Sequence, residues 1–188
     1  GHYVVLRGAK KLQDMGHNVT IIIGDYTASI GDPSGRNKLR PSLSASEISS
    51  NAQTYMEQVF LVLDKNKTTV INNSTWLGVM SMSDMLKLLS SFTLAQVLAR
   101  DDFKNRFSSD TPIFLHELTY PIMQGMDSVA IKADIELGGT DQTFNLMMGR
   151  VLQKSRGESE QAVITFPLLV GLDGKHKMSK SLKNHIAL

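Results

Sequence analysis

Cysteine is absent from the 188 residues. Its absence excludes a disulfide framework, a thiolate metal site and a thiol nucleophile, and suits a reducing compartment. Long apolar runs are lacking as well. No stretch approaches the roughly 20 residues that cross a bilayer, and residues 1–15 hold no continuous apolar segment of the signal-peptide kind. The expectation is a soluble, cytoplasmic protein with no membrane partner. Nor is there an excess of charge of one sign. Twenty Lys and Arg stand against eighteen Asp and Glu, a formal net charge of +2, so any polyanion contact must be local rather than a property of the whole surface. Internal repeats and low-complexity segments are also missing.

What remains is enough chain for one respectable core, with 41% hydrophobic residues and 20% charged. One domain is expected over residues 1–188, with an insertion. The chain begins with Gly1 inside what reads as a helix start, which predicts a fragment of a longer protein. Helices and strands alternate along it. A helix over Tyr3 to Met15 is closed by Gly16; "NVTIII" (18–23) reads as a strand covered on both faces; residues 44–64 suit a helix and "TTVINN" (68–73) a short strand. Residues 84–106 read as two helical pieces. "KADIELGG" (132–139) is a strand running into a helix from Thr140 to Arg156, and "AVITFPLLVGL" (162–172) is a last strand. Such βαβ alternation predicts an α/β fold with a doubly wound parallel sheet.

Five short stretches carry chemistry. "GH" at the N-terminus puts His2 beside the positive end of a helix dipole, where a phosphate can dock. "GDYTASIGDPSGR" (24–36) follows a strand at the sheet's carboxyl edge, where open α/β folds bind ligands, but no Gly-Lys-Ser/Thr makes it a Walker loop. Taken alone, its Asp32, Pro33 and Gly35 are equally the residues of a type I turn. Arg36, Lys38 and Arg40 follow. "YPIMQGMD" places Tyr120, Gln124 and Asp127 at i, i+4 and i+7, a polar line on an otherwise apolar helix interrupted near its start by Pro121. Either a structural hydrogen-bond network or a ligand pocket accounts for such a line. "GGTDQ" (138–142) lets backbone approach a ligand at a strand end, with Thr140 placed to cap the next helix and Asp141 and Gln142 in its first turn. Last comes "KHKMSKS" (175–181), dense in cationic side chains.

"KMSKS" at Lys177 to Ser181, with an N-terminal "GH" similar to the second half of an HxGH signature, resembles the class I aminoacyl-tRNA synthetases. "GDPSGR", "YPIMQGMD" and "GGTDQ" narrow the resemblance to tyrosyl-tRNA synthetases of bacterial type, over essentially the whole chain. The resemblance implies a Rossmann-like catalytic domain with a helical insertion over roughly residues 76–127, and a tyrosine-tRNA ligase using ATP with Mg2+ and no tightly bound cofactor. It implies that Asp32, Tyr120 and Gln124 hold the tyrosine ammonium group and that Asp127 accepts from the phenol hydroxyl. Asn73 lies near the tyrosine, and Gln142 lies where carboxyl and α-phosphate meet. Gly139 and Asp141 match ribose contacts, and the backbone around Val170 an adenine shelf. His2, Lys177, Ser179 and Lys180 match ATP-binding positions, with His2, Lys177 and Lys180 stabilising the phosphates, and Arg36 and Arg40 a pyrophosphate loop. The implied partners are L-tyrosine, ATP, tRNA-Tyr and a second copy in a homodimer. The first strand and the C-terminal tRNA-binding region of the family lie outside this chain. A tryptophan-specific synthetase and an inactive synthetase-like RNA-binding protein are the rival readings; Asp127 with "GGTDQ" speaks against the first, the intact "KMSKS" against the second.

Overall fold

Two pairs of parallel strands, each closed by a crossover helix, form the frame. The computed structural model describes residues 2–28, 45–179 and 182–186, and of residues 45–51 the backbone only. Helix α1 (His2–Asp14) leads through Gly16, at φ +96°, into β1 (Val19–Ile23). After the short α2 (Asp25–Ala28), helix α3 (Ala45–Val59) returns the chain to β2 (Thr68–Asn72). Parallel strands need such a return, and β-branched Val19, Thr20, Ile21, Ile22 and Ile23 suit the pleated surface. Val19 stands opposite Thr68 and Ile23 opposite Asn72. Of β1 only Val19 is buried, so this strand is less covered than its composition predicts.

The second pair is β3 (Ile135–Gly139) and β4 (Ala162–Phe166), joined by α9 (Thr143–Ser155), with Ile135 opposite Ala162. Among the described residues the two pairs are separate two-stranded sheets. Helix α1 packs on β1, β3 and β4 and so spans both. The last strand ends at Phe166, well short of 172, and Thr140–Gln142 is a 3₁₀ turn, so α9 begins three residues later than predicted. That turn starts from Gly139 with no side-chain cap, and Thr140 instead accepts a hydrogen bond at its carbonyl from Thr143 Oγ1, 2.7 Å away.

Between β2 and β3 the chain is helical: α4 (Ser74–Leu77), α5 (Met82–Leu89), α6 (Leu94–Leu98), α7 (Asp101–Ser108) and α8 (Leu115–Ala130). Three helices, not two, occupy residues 82–108, because Ser81 and Thr93 each build a capping box that starts a new helix. Helix α8 runs through Pro121 without the interruption that the proline predicts. Its first turn is secured independently: Glu117 accepts from the Phe114 amide at 2.9 Å and takes a bidentate pair from Arg106 at 2.6 and 2.9 Å, while the Pro121 ring is fully buried. Two hydrophobic clusters result. Leu6, Ala9, Val19, Val59 and Leu63 fill the space beneath the first strand pair, and Leu88, Val97, Phe103, Ile122, Val129 and Leu152 fill the helical region.

Candidate active site

The carboxyl ends of β1 and β2 are tied together by polar groups. Asp25 accepts from the Ser74 hydroxyl (2.6 Å), the Ser74 and Tyr26 amides (2.9 Å each) and Asn72 Nδ2 (2.9 Å). Desolvation alone would raise its carboxyl, but these donors outweigh it and hold the group below the usual range. Asn73, fully buried, accepts from the Tyr26 amide at 3.0 Å and donates to Thr27 Oγ1 at 3.2 Å. Its amide also donates to Asp127 Oδ2, at 3.4 Å. The other oxygen of Asp127 accepts from the indole of Trp76 at 2.9 Å. Burial pushes the Asp127 carboxyl up to about 7 against these two donors, with Glu136 and Asp25 adding repulsion. A carboxylate accommodates about four hydrogen bonds, so Asp127 retains acceptor capacity beyond Trp76 and Asn73.

Helix α8 meets α9 at unusually close range. A Cβ on Gly125 would lie 2.9 Å from the Met148 carbonyl carbon, and one on Gly149 2.5 Å from Ser128 Oγ, so only glycine fits at this crossing. Close approach brings Asn145 of α9 onto the polar line of α8. Its Nδ2 donates to Gln124 Oε1 (2.9 Å) and Gln142 Oε1 (3.1 Å), joining two residues that the sequence reading placed near the amino acid. Tyr120, Gln124 and Asp127 share one face of α8, as their spacing predicts. Behind them Glu136 of β3 accepts from Ser128 Oγ at 2.8 Å and Gln161 Nε2 at 2.5 Å. Desolvation raises its carboxyl too.

A second cluster lies across the site. Lys177 Nζ pairs with Asp141 Oδ2 at 3.0 Å, and the Asp141 charge also acts on His2. Desolvation is the largest cause holding the His2 imidazole below its ordinary value, and Asp141 opposes it. The His2 ring meets Tyr55 edge-on, 5.7 Å between centroids. Gly139, Asp141 and Val170 fall beside this pair: Asp141 Oδ1 would lie 2.6 Å from a Cβ on Gly139, and Val170 forms an antiparallel bridge with Lys177.

That bridge belongs to a hairpin. The amides of Gly171 and Met178 donate to the carbonyls of His176 and Leu169, each at 2.7 Å, around a turn in which Asp173 accepts from the amides of Lys175 and His176 at 3.0 Å. These donors hold the Asp173 carboxyl far below the usual carboxylate range. Asn184 is inserted between the arms: Oδ1 accepts from the Ser179 amide (2.8 Å), and Nδ2 donates to Asp173 Oδ2 (2.9 Å) and the Lys177 carbonyl (3.2 Å). A Cβ on Gly171 would stand 2.1 Å from Asn184 Nδ2. The backbone of the first half of "KMSKS" is therefore held by backbone pairing and by the Asn184 amide.

Asp32, Arg36, Arg40 and Lys180 lie outside the described residues. Trp76, Asn145, Glu136, Asp173 and Asn184 were missed in the sequence. Trp76 is the chain's one tryptophan, three residues beyond Asn73, and "DG" at 173–174 is a strong hairpin signal. Nothing local distinguishes Asn145, which becomes a site neighbour through the α8–α9 crossing, or Glu136, which β3 carries to Ser128 and Gln161.

The sequence model of the family described as tRNA synthetases class I (W and Y) matches residues 1–188. The chain belongs to this family. It is 55% identical over 188 residues to the tyrosine–tRNA ligase of Francisella tularensis, covering all of this chain and 48% of that one. Against the tyrosine–tRNA ligase of Haemophilus influenzae identity is 53%, covering 100% and 47%. Among solved structures, tyrosyl-tRNA synthetase complexed with L-tyrosine from Archaeoglobus fulgidus superposes with a TM-score of 0.77 at 26% identity, over 99% of this chain and 55% of that one. The chain thus spans about half the length of the curated relatives it matches. Its parallel pairs and crossover helices are those of the Rossmann-like catalytic domain of class I synthetases.

Proposed function

We propose that the intact protein is a tyrosine-tRNA ligase. The observation that carries this reading is Asp127, a buried carboxylate already engaged by Trp76 and Asn73 at the end of the polar line of α8. A desolvated carboxylate is tolerable only when its lone pairs are used. A phenol hydroxyl completes the set, whereas a benzyl side chain has no donor and leaves it incomplete. The names of the curated relatives support the same substrate, and the family match, which takes in tryptophan and tyrosine enzymes alike, supports the reaction class.

In this reading Asp32, Tyr120 and Gln124 bind the tyrosine ammonium group, with Asn73 holding Asp127 in place and Gln142 guiding the carboxylate toward ATP. The carboxylate attacks the α-phosphate in line, forming tyrosyl-adenylate as pyrophosphate leaves. The 3′-terminal hydroxyl of tRNA-Tyr then takes the tyrosyl group and AMP departs. No protein nucleophile takes part. Gly139 and Asp141 receive the ribose, and the backbone at Val170 lies against adenine. His2, Lys177 and Lys180, with the Ser179 region and the loop of Arg36 and Arg40, stabilise charge growing on the phosphates. Mg2+ arrives with ATP as part of the substrate. Lys177 and Asp141 neutralise each other before ATP binds; both are partly exposed, so their pairing is worth at most about 1 kcal/mol and yields readily to nucleotide.

Homodimerisation belongs to the same proposal. Leu89, Phe92, Leu94, Val97, Leu115 and Leu118 line an open apolar groove on the helical region, and Leu94 and Leu115 are 62% and 82% exposed. It lies at the start of α8, so a second copy seated there would abut the helix bearing Tyr120 and Asp127. No helix among the described residues is long and apolar enough to cross a membrane, and a cytoplasmic location is part of this reading. The test is ATP–pyrophosphate exchange by the intact protein. Exchange that depends on tyrosine and is not supported by tryptophan or phenylalanine is expected; exchange driven by tryptophan, or none at all, would overturn it.

A further inference from the structure

Asn145 of α9 is 2% exposed, and the reaction above gives it no part. It stands between two residues that the reaction does use. Its amide nitrogen donates to Gln124 Oε1 at 2.9 Å and to Gln142 Oε1 at 3.1 Å, which uses both N–H donors of a primary amide. Gln142 precedes α9 by one residue while Gln124 belongs to α8, 21 residues away from Asn145. One nitrogen thus ties two elements together.

Burial decides which end of the Asn145 amide lies between the glutamines. Turned about, its oxygen would accept from both of them, and the NH2 would take the buried place where Oδ1 now stands without a partner among the described residues. Two orphaned donors cost more than one under-used carbonyl. The nitrogen therefore belongs between the glutamines, and their oxygens belong to it. Each glutamine is left with what its ligand needs. Gln142 keeps its NH2 for a carboxylate, which only accepts, and Gln124 Oε1 keeps a second lone pair for an ammonium group, which only donates. We propose that Asn145 is a positioning residue of the amino-acid site, its one amide nitrogen fixing the Gln142 amide for the substrate carboxylate and the Gln124 amide for the substrate ammonium group. The two groups that share one carbon of an α-amino acid are then met by two receptors that share one donor. The inference rests on the tyrosine-activation reading, which places Gln124 and Gln142 at those groups.

The test uses the intact protein and two probes that each carry one end of the substrate: tyramine, with the ammonium group alone, and 3-(4-hydroxyphenyl)propionate, with the carboxylate alone. Their affinities are read by displacement of labelled L-tyrosine in equilibrium dialysis. Asn145→Leu keeps the branching of the side chain and removes the donor. It is expected to weaken L-tyrosine about 10-fold and each probe about 3-fold. In a Gln142→Met background the loss for the propionate should fall below about 1.5-fold while that for tyramine persists, and in a Gln124→Met background the two should exchange places. Asn145→Ala, which introduces no bulk, carries the same comparison if Asn145→Leu does not fold. Losses that persist for both probes in both backgrounds would show Asn145 to be a packing element, and no loss, or a loss for one probe alone, would show that its nitrogen does not serve both ends. Any of these results overturns the proposal. Failure of the wild type to activate tyrosine would instead sink the parent reading.

Discussion

The wall built by α8, α9 and β3 and the hairpin that carries Lys177 face the same site, yet their side chains are held in opposite ways. On the helical wall the polar groups are already engaged: Asp127 is 9% exposed and accepts from the fully buried Asn73 at the end of β2, and the half-buried Gln124 and Gln142 share one amide donor. On the hairpin the backbone is fixed by Asn184 and Asp173 while the charged end of Lys177 stays half in water, loosely paired with Asp141. Buried, pre-paired groups discriminate, because a wrong ligand leaves them unsatisfied. An exposed ammonium on a fixed backbone discriminates little but can follow charge as it develops in a transition state. Under the proposed function, the two walls divide the work into choosing the amino acid and accelerating its activation.

The largest expected effect breaks the helical wall. The Asp127 carboxyl stands at about 7 in the folded chain against an ordinary 3.8. Between those values the folded state holds a proton that the unfolded state has released, so stability falls as pH rises through about 4 to 7 and is level above. The full decline across that range amounts to about 4 kcal/mol. Asp127→Asn removes it. Urea unfolding at pH 5 and pH 8 provides the check: the variant should gain stability over the wild type mainly at pH 8, and an equal difference at both pH values would contradict a titrating Asp127.

Next in size is the hairpin. Lys177→Ala in the intact protein should slow adenylate formation about 10²-fold while leaving the tyrosine dissociation constant nearly unchanged, as read by single-turnover kinetics and equilibrium dialysis. Weakened tyrosine binding at an unaltered rate would move Lys177 to the other wall. Asn184→Ala tests the support beneath it. Three hydrogen bonds to the loop disappear, and a drop of about 10-fold in the same rate is expected, with faster proteolysis around residues 175–183. An unchanged cleavage rate would leave Asn184 without the role assigned to it. Smallest is the surface pair: Lys177→Met should shift unfolding stability by less than about 1 kcal/mol, since its partner Asp141 remains partly solvated.

Much of this was legible in the sequence because the signals are local. The β-branched run at 19–23, the glycine at 16 and the i, i+4, i+7 spacing of Tyr120, Gln124 and Asp127 each act within a few residues. What the sequence concealed depends on contacts between distant elements. Trp76 and Asn73 reach Asp127 from 51 and 54 residues away, and Asn145 reaches Gln124 only because two glycines let α8 and α9 touch. Pro121 misled for the same reason, since the Arg106–Glu117 pair that secures the helix start before it comes from a neighbouring helix. The single doubly wound sheet that the alternation predicts is present as two parallel pairs bridged by α1.

One crossed measurement tests the division between the walls most directly. The ratio of kcat/KM for tyrosine to that for phenylalanine, from pyrophosphate exchange, is compared in the wild type, Asp127→Ala and Lys177→Ala of the intact protein. Tyrosyl-tRNA synthetase is the reference case for such hydroxyl recognition, with rejection of phenylalanine of about 10⁵-fold. Asp127→Ala should collapse the ratio by ~10²-fold or more, and Lys177→Ala should lower both specificity constants together and leave the ratio intact. A ratio preserved in Asp127→Ala, or collapsed in Lys177→Ala, would contradict the account.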